Sequence, residues 1–185
     1  MSNITLSSAP PGPPAAPKAT TKRAPKGTIA IEEAVLNPSG VAWMAATASL
    51  FNPSSSSSGG NPLQHLHGHT TQLLDIHSTR LAQMDAYGVE YMLLSLTSPG
   101  PQGQSSPLAA ANLAREANDW LAGEVSKNPA RFGALASVSM HDAEEAAGEV
   151  RRAVKELGMY GVIINDYQEV AGGEGGSGKK WFDTE

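Results

Sequence analysis

From Thr70 onward the apolar residues alternate between a helical spacing and short continuous runs. Leu74, His77, Leu81 and Met84 share one face at helical intervals, which predicts a helix from about Thr71 to Tyr87. Gly88 follows, and glycine best tolerates the left-handed conformation that closes a helix. Val89–Leu96 is then nearly all apolar and reads as a buried strand. Ser106-Pro107 reads as an N-cap with proline at the first helical position. Leu113, Ala117, Leu121 and Val125 carry that helix's stripe, and it ends near Asn128-Pro129 because proline disfavours helix in the residue before it. Phe132–Val138 is the next strand. Asp142 with Glu145 resembles a capping box, Ala146, Val150, Ala153, Val154 and Leu157 form the following helical face, and Gly158 closes it. Tyr160–Ile164 is a further strand, after which the pattern stops at Asp166. Upstream, residues 28–33 form a short apolar strand ending in Glu32-Glu33. The body therefore reads β, a long excursion, then α–β–α–β–α–β. Continuous apolar strands between helices indicate an α/β class with a parallel sheet covered on both faces.

Composition trims this picture at three places. Residues 1–26 hold six prolines and few large apolar side chains, and read as a disordered arm. Residues 52–62 include five consecutive serines and read as a low-complexity insertion in the body, which runs over 27–170. Residues 171–185 are mostly Gly, Ser and charge, and read as a tail. The arm carries Lys18, Lys22, Arg23 and Lys26 and no acid, so all 18 acidic residues fall in the remainder. A body this acidic argues against nucleic acid as the partner. The arm is basic like an organelle-targeting segment, but its prolines prevent the amphipathic helix such a segment needs. No apolar run approaches the ~20 residues of a membrane span. The chain has no cysteine, which excludes disulfides and thiolate metal sites and fits a cytoplasmic protein.

Candidate chemistry gathers where the strands finish, the usual ligand edge of parallel α/β proteins. Neighbouring strand residues point to opposite faces, so only one of Glu32 and Glu33 can face an interior. That carboxylate is either an oxygen ligand for a divalent metal or a solvated strand end. Asn165-Asp166 closes the last strand at the matching edge, as a substrate-orienting amide or as ordinary turn chemistry. His65, His67 and His69 alternate and could hold a metal, but no acid supports them and Gly68 loosens them. His77 reads as a satisfied core or interface histidine, and His141 as a partner for a turn. Ser98–Gly103 is either a ligand-touching loop or a plain Pro/Gly loop, without a phosphate-binding signature.

Several segments in order carry a family likeness. They are Ile29–Ala34, Leu93–Gln102, Ala117-Asn118-Asp119, Asn128–Ala134, Ser139-Met140-His141 and Gly161–Asp166. Together they resemble the amidohydrolase-related, metal-dependent decarboxylases, with fungal 2,3-dihydroxybenzoate decarboxylases as the nearest pattern. The resemblance implies a TIM-type (β/α)8 barrel, of which this chain holds about the first four β/α units. It implies a divalent metal, zinc or manganese, with Glu32 as a ligand. Many relatives place a further histidine ligand where Ala34 stands here. It implies that Asn165 lies near the substrate, a small aromatic carboxylic acid, and that the reaction is non-oxidative loss of carbon dioxide. The family's downstream metal-binding His, in a His-Pro-Arg context, and its Asp have no counterpart in this sequence. No residue is therefore assigned as catalytic proton donor, and the chain alone is expected to be inactive.

A complete barrel needs about 250 residues. Half of one leaves two apolar edge strands unpaired, an aggregation hazard unless another chain covers them. Two readings follow: part of a carboxy-lyase, or a noncatalytic module that pairs with intact homologues. Either predicts a homo-oligomer or association through the open edges.

Overall fold

The structure, a computed structural model, describes residues 27–41, 70–172 and 177–182. The arm 1–26, the insertion 52–62 and the histidines at 65, 67 and 69 lie outside the described residues. Strand β1 (Thr28–Val35) pairs in parallel with β2 (Val89–Leu96), and β2 in parallel with β3 (Phe132–Ala134). Helix α1 (Thr79–Tyr87) precedes β2, α2 (Pro107–Lys127) precedes β3, and α3 (Ala143–Lys155) follows it.

The alternation of β2 explains the layers. Met92 and Leu94 are buried in one cluster with Met84 of α1, Leu121 of α2, Ala153 of α3 and Phe132 of β3. The intervening residues Tyr91 and Leu93 face the other side. There Tyr91 Oη donates to the Phe132 carbonyl at 2.8 Å and lies 3.2 Å from Tyr160 Oη. Glycine is required at 133, because a Cβ would stand 2.7 Å from both Tyr91 Oη and Tyr160 Cε2. Helices thus cover one face of the sheet, and this second face is left open by the described elements.

The strand edges hold a departure from regular pairing. Ala30 partners Met92 and Glu33 partners Leu94, so both Ile31 and Glu32 stand opposite Leu93. This is a β-bulge, two residues against one. Glu32 takes φ +62°, the left-handed region that costs a residue with a side chain about 1–2 kcal/mol.

The structure changes five of the expectations. The single helix over 71–87 is broken: residues 70–74 are helical, the chain bends at 76–78, and α1 begins at Thr79. Asp75 causes the break, since its carboxylate accepts from the Ser78 and Thr79 amides at 2.9 and 2.7 Å and caps the new helix. Ile76 is consequently buried, and Leu74, expected on the apolar face, is exposed. The strand expected over Phe132–Val138 ends at Ala134, and the one expected over Tyr160–Ile164 is reduced to a parallel bridge, Ala136 with Val162. Beyond that bridge the Ser137 backbone pairs with the Asn118 side chain instead of a strand. Of the stripe expected on α3, Val154 is exposed, while Glu149 is buried. Finally, the chain does not lose its pattern at Asp166: β4 (Tyr167–Ala171) and β5 (Ser177–Trp181) form an antiparallel hairpin, with Lys179 Nζ 4.2 Å from the Tyr167 ring centre.

Other expectations hold. Gly88 caps α1 at φ +70°. Ser106 caps α2 ahead of Pro107, and Asp142 caps α3 by accepting from the Glu145 amide at 2.8 Å.

Candidate active site at the carboxyl rim

Three chain segments meet where β2, β3 and residues 160–164 finish. The loop after β2 folds as a 3-10 turn over Gly100–Gly103, with Gln102 3% exposed. Gln102 Oε1 accepts from the Asn165 backbone N–H at 2.7 Å, and its Nε2 donates to the Asn165 and Tyr167 carbonyls at 3.1 and 2.6 Å. The Asn165 side chain donates from Nδ2 to the Pro99 carbonyl at 3.2 Å. A carbonyl only accepts, so the nitrogen of the carboxamide must be the atom facing Pro99.

The hairpin locks this corner from outside. Gln168 is fully buried; its Nε2 donates to the Gln104 and Gln102 carbonyls at 2.9 and 3.1 Å, and its Oε1 accepts from the Met140 amide at 2.9 Å. His141 Nε2 donates to the Gln104 carbonyl at 2.9 Å, the turn contact its position suggests.

One strand over, the same device recurs. Asn118 Oδ1 accepts from the Ser137 amide and its Nδ2 donates to the Ser137 carbonyl, both at 2.9 Å. Asn118 Nδ2 also donates to Glu149 Oε1 at 2.8 Å, and Arg152 pairs with Glu149 and with Asp119. Burial alone would raise the Glu149 carboxyl. The hydrogen bonds from Arg152 and Asn118, with the charges of Arg152 and Arg115, outweigh burial and hold it below its usual range.

Thr97, Ser98, Gln102, Ser137 and Asn165 line a rim cavity of about 40 Å³. That is room for a few waters and too small for an aromatic acid. A larger cavity, about 520 Å³, lies between α1 and the helix-covered side of β1, beside Glu33 and Arg80. It is on the opposite side of the sheet from Glu32.

Of the residues singled out in the sequence, Glu32 and Asn165 lie on the two outer strand positions, with β2 and β3 between them. Glu32 is exposed on the open face, β1 runs three residues past it, and its carboxylate has no hydrogen-bond or ion-pair partner among the described residues. Glu33 turns to the helix side, 3.8 Å from Arg80. One free carboxylate on that face suits one oxygen position of a divalent ion. Among the described residues no group of three His, Asp or Glu side chains could hold a metal, so Glu32 would be a single corner of a site. His77 bonds Glu124 at 2.9 Å and meets Phe132 edge-on, as a satisfied histidine should.

Gln102, Gln168 and Asn118 were not marked by the sequence as site residues. Asn118 left a signal: it is a polar residue inside the buried stripe of Ala114, Ala117 and Leu121. Gln102 left none beyond its place in a Gly/Pro loop, because its partners lie more than 60 residues away.

Comparison with known proteins agrees with this geometry. Residues 65–173 match the family model described as amidohydrolase. A γ-resorcylate decarboxylase from Polaromonas sp. is 43% identical over 99 residues, which is 54% of this chain and 30% of that protein. A 2,6-dihydroxybenzoate decarboxylase solved with 2,6-dihydroxybenzoate superposes with a TM-score of 0.67 at 35% identity, over 80% of this chain and 41% of that one. A dihydroxybenzoic acid decarboxylase from Polaromonas sp. JS666, solved with manganese and 2-nitroresorcinol, superposes at 0.65 with 36% identity, over 77% of this chain and 39% of that one. The chain thus spans about a third of the length of the curated relatives it matches. The fold is α/β, with a parallel sheet and helices in the arrangement of part of an amidohydrolase TIM-type barrel.

Proposed function

From the premise that this chain belongs to the amidohydrolase family, we propose that it supplies one part of a metal-dependent decarboxylase acting on a hydroxybenzoate such as 2,6- or 2,3-dihydroxybenzoate. The observation that carries the reading is the likeness, over most of this chain, to an enzyme solved with manganese and a ring mimic. The difficulty of the reaction is carbanion character on an aromatic ring. A bound divalent ion, manganese or zinc, supplies Lewis-acid polarisation of the substrate oxygens.

This chain's share of the work is holding and orienting. Glu32 offers a hard oxygen ligand on the open face, where no described side chain competes for it. Asn165 stands at the rim with one N–H committed to Pro99, leaving Oδ1 to accept from a ring hydroxyl. Donation of a proton to the ring carbon is assigned to no residue of this chain. The remaining metal ligands are assigned to the strands that complete the barrel, since no described group of residues beside Glu32 could hold the ion.

The test is metal content and carbon dioxide release. The 185-residue chain alone, given manganese or zinc and either dihydroxybenzoate, is expected to show no turnover. Placed in a γ-resorcylate decarboxylase in exchange for the matching segment, it is expected to support turnover, and Glu32→Ala in that fusion to abolish both metal content and activity. A Glu32→Ala fusion that keeps its metal and its rate would overturn the assignment.

A further inference from the structure

We propose that Gln102 is a positioning residue that aims Asn165, an inference that rests on the reading of Asn165 as a substrate contact. The argument begins where the sheet ends. The last ladder bond on this strand is from the Ile163 amide to the Ala136 carbonyl, at 2.8 Å. Past it, the backbone N–H and C=O of Asn165 have no neighbouring strand, yet such groups need partners when buried. A primary amide carries an acceptor and a donor side by side, as a peptide group of an adjacent strand would. Gln102 uses both against the same residue, closing a two-bond ring with the Asn165 backbone and adding a third bond to Tyr167.

The ring fixes Asn165 from both sides of its Cα. With the backbone fixed, the Nδ2 bond to Pro99 sets the side-chain rotamer, since Pro99 and Gln102 belong to the same loop. Gln102 is itself held, because its own carbonyl accepts from the buried Gln168. The Asn118–Ser137 ring shows that this solution is used twice on the rim.

The test separates positioning from folding and from the substrate assignment. In the 185-residue chain, amide hydrogen exchange at Asn165 is compared in wild type, Gln102→Ala and Gln102→Glu, with Met92 and Ser137 as internal references. Glu fills the same space and keeps an acceptor while losing the donor. Exchange at Asn165 is expected to rise about 100-fold in Gln102→Ala and less in Gln102→Glu, with the references within about threefold of wild type. In parallel, the Asn165 side-chain amide resonances are followed in the γ-resorcylate decarboxylase fusion during titration with 2,6-dihydroxybenzoate, and Gln102→Glu is expected to weaken the response at least tenfold. Unchanged exchange at Asn165 in both variants, or wild-type titration by Gln102→Glu, overturns the proposal. A wild-type fusion whose Asn165 resonances ignore the ligand defeats the substrate reading, and exchange alone then decides whether Gln102 positions Asn165.

Discussion

Two corners of the sheet carry the proposed chemistry, and they are built in opposite ways. At the Asn165 corner the backbone is part-buried and paired, by two glutamines, a loop and a hairpin. At the Glu32 corner the backbone is in the left-handed region, the carboxylate is exposed, and no described residue engages it. A neutral amide can be aimed by hydrogen bonds within one chain. A metal ligand is made useful by other ligands converging on the same ion, and those are not among the described residues. The difference shows which half of the proposed site this chain finishes by itself.

The sharpest way to break the finished side is Asn118→Ala. It removes both bonds to Ser137 and one to Glu149 in a buried setting, and the expected loss is about 3 kcal/mol in denaturant unfolding. Acid should loosen the same region next. Glu149 releases its proton more readily folded than unfolded, so its contribution is complete above the ordinary value of 4.5 and disappears as pH falls through the lower folded value. Thermal melts should therefore drop more steeply below pH 4.5 in wild type than in Glu149→Gln. The smallest effect belongs to the unfinished side and has the opposite sign. Glu32→Gly relieves the φ +62° backbone and should raise stability by about 0.5 kcal/mol, net of glycine's greater freedom when unfolded. In the fused enzyme the same change should abolish metal uptake. Loss of stability on Glu32→Gly would mean that the bulge is supported by contacts of that side chain.

The local parts of this architecture were legible in the sequence because local residues determine them. Val89–Leu96, the Ser106-Pro107 start and the Gly88 stop depend on near neighbours, and each stands where the pattern put it. What misled was competition for the backbone by polar side chains. Asp75 captures two amides and splits a helix whose apolar spacing is continuous. Asn118 takes over the Ser137 backbone groups that the strand predicted over Phe132–Val138 would have used, and Gln102 holds the Asn165 backbone just past the next one. Such captures join residues 19 and 63 positions apart, and no periodicity records them. Strand alternation divides Glu32 from Glu33, but the bulge that sets Ile31 and Glu32 together opposite Leu93 cannot be read from six residues.

That bulge makes Glu32 supernumerary. Deleting this one codon would leave Ile31 across from Leu93, with Glu33 still meeting Leu94 and Val35 still meeting Leu96. The strand downstream would neither rotate nor slip. A residue of this kind can be gained or lost by a single in-frame event without re-threading the first strand.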